Sequence, residues 1–212
     1  MDENTLKYHR VLLEKVADAL KKNNFEDVSV VDSKEQAKEK ILKLIPANSK
    51  VGAGGSMTVR SLGVMDELKK KCNIVQHSVG MPLEERKKIW HEATGADFYL
   101  ASPQAITTDG HLFFIDKYGN RLSAIIFGPT RVVLVAGYNK VVRDLDEALW
   151  RIKNVAAVKN AIRLNVKTPC VTAGKCMDCN VPERICNVVT YLLKRPAATD
   201  YTVILIKEEA GY

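Results

Sequence analysis

The chain has 212 residues, of which 46% are hydrophobic and 27% are charged, and its net charge is +7. This composition excludes disordered, collagenous and low-complexity proteins, and the scattered positive charge comes without a groove-reading motif, so nucleic acid is not the expected partner. The N-terminal residues do not form a signal peptide, and no apolar run approaches the roughly 20 residues of a membrane span, so we expect a cytoplasmic protein without a membrane partner.

Helical periodicity alternates with short apolar runs along the first half of the chain. The Ser33 hydroxyl and Gln36 form a capping box that predicts the start of the second helix. In chain order, we predict a helix over 4–22, a strand over 28–32, a helix from 33 to 45, a strand over 49–52, a helix over 58–71, a strand over 74–77, a helix over 82–94 and a strand over 98–101.

The second half of the chain begins with an expected antiparallel hairpin. Residues 111–115 and 121–127 are strand-like and flank the turn-forming segment 116–120. Further predictions are a strand over 131–136, a helix over 144–164, an apolar segment over 188–193 and a strand over 201–206. The alternation predicts an α/β fold with a mostly parallel sheet flanked by helices. Because no linker or repeat is visible, we expect one domain over 1–212, with 168–187 as an inserted cysteine-rich segment.

A glycine-rich loop joins the predicted strand 49–52 to the following helix. Glycines let backbone N–H groups converge on an anion, and nearby hydroxyl groups and a guanidinium would add donors. The candidate ligand-binding residues of this loop are Gly52, Gly54, Gly55, Ser56, Thr58 and Arg60. The loop matches neither a Walker P-loop nor a dinucleotide-binding fingerprint. The alternative is a tight turn with an ordinary capping serine.

Four of the five cysteines lie close together near the C-terminus, in the spacing C-x5-C-x2-C-x6-C. They are Cys170, Cys176, Cys179 and Cys186. Four thiolates within so short a segment are typical of an iron–sulfur cluster or a tetrahedral zinc site. We expect an iron–sulfur cluster, with zinc as the alternative metal. Reduced structural thiols and a redox disulfide are the alternatives without metal.

The predicted hairpin carries further candidate side chains. Asp109 and Asp116 are candidates for acid–base catalysis, and Asn120 and Arg121 for contact with an anion. The alternative for each of them is plain turn chemistry.

Several blocks of the sequence resemble the lactate-utilization (LUD) family, and in particular its single-domain, cysteine-bearing members. The blocks are 52–63 (GAGGSMTVRSLG), 105–110 (AITTDG), 115–121 (IDKYGNR), 126–140 and 168–187, in the expected order. Thr107 of the second block and Gln104, which directly precedes that block, are further expected ligand-binding residues. Gln104 departs from the asparagine that often stands there in the family, which would change the reach of the side chain by one methylene.

The resemblance implies a fold like that of the ribose-5-phosphate isomerase, glucosamine-6-phosphate deaminase and CoA-transferase group. In the isomerase-like members a similar loop holds a sugar phosphate, so a phosphate, carboxylate or acyl-type ligand is expected here. It also implies an association with the oxidation of L-lactate. Fold is better supported than function by such a resemblance.

Three functions are compatible with these features. The protein is an enzyme or enzyme subunit of organic-acid utilization that binds an anionic small molecule, a non-catalytic binding or regulatory module, or an electron-transfer accessory that docks to a redox partner protein. The long helices are also compatible with a homodimer.

Overall fold

The computed structural model describes residues 2–78 and 80–212. The helices are α1 (Glu3–Lys22), α2 (Lys34–Leu44), α3 (Met57–Ser61), α4 (Val64–Leu68), α5 (Leu83–Thr94), α6 (Asn120–Ile126), α7 (Leu145–Arg151), α8 (Ala157–Leu164) and α9 (Pro169–Ala173). The strands are β1 (Asp27–Val31), β2 (Lys50–Ala53), β3 (Asn73–Val75), β4 (Phe98–Ala101), β5 (Ala105–Thr107), β6 (Leu112–Asp116), β7 (Arg131–Gly137), β8 (Val141–Val142), β9 (Val188–Leu192) and β10 (Asp200–Ile206). A 3₁₀ turn spans Tyr138–Lys140, and a π-helical turn spans Ile152–Ala156.

The main sheet is parallel and has the strand order β1–β10–β7–β4–β2–β3. Its inner strands β7 and β10 are buried along almost their whole length, as expected for strands that are covered on both faces. Val132 and Leu134 of β7 belong to the apolar core that includes α1, whereas Val133 and Val135 belong to the core that includes α2, α3 and α4. The predicted parallel sheet between helical layers is therefore confirmed.

A second sheet has the strand order β8–β5–β6–β9. Strand β6 is antiparallel to both β5 and β9. An antiparallel hairpin is thus present, but it joins β5 to β6. The predicted pairing of 111–115 with 121–127 is wrong, because residues 120–126 form helix α6.

Two predicted helices are interrupted. The segment 58–71 contains α3 and α4, which are separated at Gly63, whose φ of 61° lies in the left-handed region. The segment 144–164 contains α7, the π-helical turn and α8. Among the described residues, no helix is both long and apolar enough to cross a membrane.

The turn between β5 and β6 packs against the C-terminal end of α1. The Asn23 side-chain amide donates to the carbonyl oxygens of Asp109 (2.9 Å) and Gly110 (3.1 Å). Gly110 has a φ of 83°, and a Cβ atom there would lie 2.7 Å from the backbone carbon of Ala19. Both the dihedral angle and the space therefore require glycine at this position.

We expect Gly110→Ala to lower the free energy of unfolding by about 3 kcal/mol or more, because left-handed strain adds to a clash with backbone. Gly80→Ala is the matched control. Gly80 has a φ of 84°, but a Cβ atom there would meet no atom within 4 Å. The control should lose only the left-handed penalty of about 1–2 kcal/mol. Urea unfolding of both variants measures the difference, and equal losses would contradict the predicted clash.

Candidate functional site

A cleft of about 240 Å³ lies at the carboxyl ends of three neighbouring strands of the main sheet, β2, β4 and β7. Residues 54–58 follow β2, Ser102 directly follows β4, and Lys140 ends the 3₁₀ turn after β7. In parallel sheets the carboxyl ends of the strands meet at one edge, where the connecting loops form ligand-binding crevices. The fold therefore brings together polar residues that are distant in the sequence.

The Lys140 side chain lies in the wall of this cleft, and the residue is only 1% exposed. Its Nζ donates to Thr58 Oγ1 at 2.7 Å, to Ser102 Oγ at 2.7 Å and to the carbonyl oxygen of Pro103 at 3.1 Å. The Thr58 hydroxyl in turn donates to the carbonyl oxygen of Ala210 at 2.9 Å. All three partners of the amine are uncharged oxygens, so they fix its position without neutralising a positive charge.

Burial lowers the pKa of Lys140 well below its ordinary value, and the nearby Arg151 and Arg121 guanidinium groups lower it further. The three donated hydrogen bonds are those of an ammonium group, and the lowered pKa means that this group gives up a proton more readily than an exposed lysine does. Arg151 is itself buried, which lowers its pKa to about 10. Its guanidinium donates to the carbonyl oxygens of Asn139 and Gln104, and it thereby ties the 3₁₀ turn of Lys140 to the segment before β5.

Asp116 and Arg121 face each other in the same cleft, with 4.0 Å between Asp116 Oδ2 and Arg121 Nε. Asp116 Oδ1 accepts from the Lys117 backbone N–H at 2.8 Å, whereas the buried Oδ2 accepts no hydrogen bond from the described residues. Arg121 and Gln104 both donate to the carbonyl oxygen of Ile115, at 2.7 and 3.2 Å. One oxygen of this carboxylate is thus buried in the wall of the cleft with its acceptor positions unused by the described residues.

The cleft has an excess of positive charge. Among the described residues that line it, the cationic side chains are Arg86, Lys117, Arg121, Lys140 and Arg163, and the carboxylate side chain is that of Asp116. Cationic groups that converge on one cavity attract and orient anions. The geometry suits a small molecule with at least one negative charge.

Aromatic side chains form another wall of the cleft. The Trp90 indole N–H donates to His77 Nδ1 at 3.1 Å, and the Arg86 guanidinium lies over the Trp90 ring, 5.6 Å from its centre. Tyr118 packs beside Trp90, with 5.1 Å between the ring centres. Burial and then Arg86 lower the pKa of His77 below its ordinary value, so the imidazole is neutral at neutral pH.

Most of the site residues expected from the sequence lie together in the cleft. They are Gly54, Gly55, Ser56, Thr58, Gln104, Asp116, Asn120 and Arg121. Ser56 also caps α3, because its hydroxyl accepts from the Val59 N–H at 3.3 Å.

The other four expected residues lie outside the lining. A Cβ atom at Gly52 would lie 2.7 Å from the Tyr99 ring, so Gly52 serves close packing. The Arg60 side chain is exposed. Thr107 and Asp109 are hydrogen-bonded to each other within the turn that packs on α1.

The sequence reasoning missed Ser102, Lys140, Arg151 and Arg163. Ser102 directly follows β4, and Lys140 ends the short turn after β7. The rule that ligand sites form at the carboxyl ends of parallel strands is the signal that would have found them. Their burial and their mutual hydrogen bonds depend on tertiary structure.

All four cysteines of the segment 168–187 line a second, smaller cavity, and each is free and partly buried. Burial raises the pKa of the Cys186 thiol. Arg184 lowers it in part, whereas the neighbouring Cys176, Cys179 and Cys170 raise it further. The shared cavity and these effects on the pKa show that the fold places the four thiols near one another, although they are up to 16 positions apart in the chain.

Backbone hydrogen bonds hold the cysteine segment against the rest of the fold. The Cys176 N–H donates to the Asn154 side chain at 3.0 Å, within the π-helical turn, and the Asn187 N–H donates to the Asp116 carbonyl oxygen at 2.9 Å. Ala157 and Ile185 line both cavities, so the two sites share a wall. Within residues 2–78 and 80–212, no three histidine, cysteine, aspartate or glutamate side chains stand close enough to hold one metal ion.

Comparisons with known proteins agree with this architecture. The family model of the LUD domain matches residues 13–206. A solved structure of a DUF162 family protein from Deinococcus radiodurans is similar to the chain, with a TM-score of 0.54 and 12% sequence identity over 93% of this chain and 98% of the other. No curated protein sequence matches. Because the family model covers most of its length, the chain belongs to the LUD domain family.

Proposed function

We propose that the protein binds an anionic small molecule of organic-acid, phosphate or acyl type in the basic cleft, and acts on it as an enzyme or enzyme subunit of organic-acid utilization. The observation that carries this proposal is the charge of the cleft. Five cationic side chains and one carboxylate side chain are found among its described lining residues. Membership of the LUD domain family is consistent with lactate-utilization-type proteins.

The form of the cleft supports a small ligand. Its volume of about 240 Å³ is below the range of about 300–1,000 Å³ that is typical of sites for drug-sized molecules. The Ser56 hydroxyl group lies beside the cationic groups and would orient carboxylate or phosphate oxygens. The combination of few converging polar groups and a restricted volume is typical of sites that bind metabolites.

We also propose that the four cysteines hold an iron–sulfur cluster, with zinc as the alternative. The shared cavity of the four free thiols supports it. In a cubane cluster each thiolate binds a different iron atom, so a cluster, unlike one ion, does not need four thiols that converge on a single point. Lys153 and Arg184 line the same cavity and would offset the negative charge of the thiolates.

We expect inorganic phosphate and pyruvate to bind saturably to the full-length protein and to raise its melting temperature. Arg121→Met should weaken binding by about tenfold to a hundredfold, the equivalent of one charge-assisted hydrogen bond. Isothermal titration calorimetry measures the affinity, and thermal unfolding reports the stabilisation.

Arg10→Met is the matched control, because Arg10 is an exposed residue of α1 that pairs with Asp32 at 3.7 Å and does not line the cleft. The control should bind phosphate as the unmodified protein does. The proposed role of the cleft would be contradicted if the Arg121→Met variant bound phosphate with the same affinity as the unmodified protein. It would also be contradicted if no tested anion bound saturably.

A further inference from the structure

We propose that Lys140 is a catalytic nucleophile, which forms a Schiff base with the carbonyl group of a small 2-oxo carboxylate bound in the cleft. This inference rests on the proposed function, because the anionic part of the ligand is held by the cationic groups described above. It adds a second requirement, since the ligand must carry an aldehyde or ketone carbon within reach of the amine.

The placement of Lys140 is the first argument. Its Nζ is held between two hydroxyl groups that themselves line the cleft, at 2.7 Å from each. A lysine that only binds an anion gains by remaining hydrated and charged, whereas this one is 1% exposed and its hydrogen-bond acceptors are neutral. Lysines that react with carbonyl groups are activated by desolvation and by neighbouring cations.

The neighbouring charges are the second argument. The guanidinium groups of Arg121 and Arg151 lower the pKa of Lys140 in addition to the effect of burial. The same cations favour a bound carboxylate, so one arrangement both eases the loss of a proton from Lys140 and attracts the acid. A ligand that uses both features carries a carboxylate and, next to it, an electrophilic carbon.

The step balances without an oxidant or a reductant. Once the ammonium group has given up one proton, the Nζ lone pair attacks the carbonyl carbon, the C=O π bond opens, and a second proton moves from nitrogen to oxygen to give a carbinolamine. Loss of the hydroxyl group and of the last N–H proton, together one molecule of water, leaves a C=N bond. Asp116, whose buried Oδ2 accepts no hydrogen bond from the described residues, lines the same cleft and is the group that takes up and returns the proton.

The test is reductive trapping. The full-length protein is incubated with pyruvate and sodium cyanoborohydride, and the modified lysines are identified by peptide mass spectrometry. We expect Lys140 to be modified at least about tenfold faster than exposed lysines, because each unit by which the pKa falls gives about tenfold more neutral amine. Inorganic phosphate, which competes for the cleft, should slow the modification of Lys140 alone.

Two variants make the result specific. Lys140→Arg removes the primary amine and should lose the cleft-specific adduct. Lys159→Arg changes an exposed lysine of α8 and should leave the adduct at Lys140 unchanged. Circular dichroism and thermal unfolding show that each variant is folded before trapping.

The outcomes separate this inference from the proposed function. Anion binding without faster modification of Lys140, or equal modification of the unmodified protein and the Lys140→Arg variant, would overturn the Schiff-base inference and leave the anion site standing. Absence of phosphate and pyruvate binding would overturn both.

Discussion

Protein purified without oxygen is expected to be coloured and to contain about four iron and four acid-labile sulfide per chain. Cys176→Ser together with Cys179→Ser should abolish both contents, because two of the four thiolate ligands are removed from one cavity. The loss is expected to be complete, since cluster binding and the ordering of a ligand loop are coupled. Iron, zinc and sulfide analysis with a visible spectrum is the measurement.

Cys72→Ser is the control for general effects of losing a thiol. Cys72 packs at the edge of the core near α2, where its thiol contacts the Pro46 carbonyl oxygen at 3.4 Å, and it does not line the cysteine cavity. This variant should keep the full metal content. One zinc ion per chain would show that the cysteines form a structural zinc site. If the protein held neither iron nor zinc after anaerobic reconstitution with iron and sulfide, the proposed cluster would be refuted.

Lys140→Met is expected to make the protein more stable near neutral pH while it loses the reactive amine. The substitution removes a buried ionisable group and keeps an unbranched apolar chain of similar length. The two hydroxyl groups that accept from Lys140 retain carbonyl acceptors, Thr58 with Ala210 O and Ser102 with Pro103 O. We expect a gain of about 0.5–2 kcal/mol, as for other stabilising changes at functional positions.

The extra stability of the Lys140→Met variant should decrease as the pH rises. The pKa of Lys140 is lower in the folded protein than its ordinary value of 10.5, so the unfolded chain binds more protons between those two values. Stability of the unmodified protein therefore rises with pH across that window, relative to the variant, and the advantage of Lys140→Met shrinks. Urea unfolding of both proteins from neutral to alkaline pH measures it. If the stability advantage of Lys140→Met grew with pH, the folded protein would not lower the pKa of Lys140.

Local sequence pattern was sufficient for most of the main sheet. The apolar runs at β7 and β10 predicted buried strands, because strands covered on both faces lack alternation. The local sequence pattern failed to predict α6, because the isoleucines of this segment favoured a strand. There Leu122 and Ile125, three positions apart, are buried on one face of a helix, so tertiary packing outweighed the local preference.

The candidate site was predictable where it lies on one continuous segment. The glycine loop and the segment around Asp116 and Arg121 carry recognisable polar residues, and the structure places most of them in one cleft. Lys140 and Ser102 were not singled out, because a lysine after a strand has no unusual feature until its burial is known. The importance of Lys140 arises from desolvation, which is a property of the folded protein.

The π-helical turn Ile152–Ala156 sets which side of α8 faces the cleft. Such a turn holds one residue more than an α-helical turn, so the helix after it is rotated by about 100° about its axis. Asn160 and Arg163 line the cleft in this orientation. A homologue shorter by one residue here would present a different set of side chains to the ligand while its glycine loop stayed unchanged.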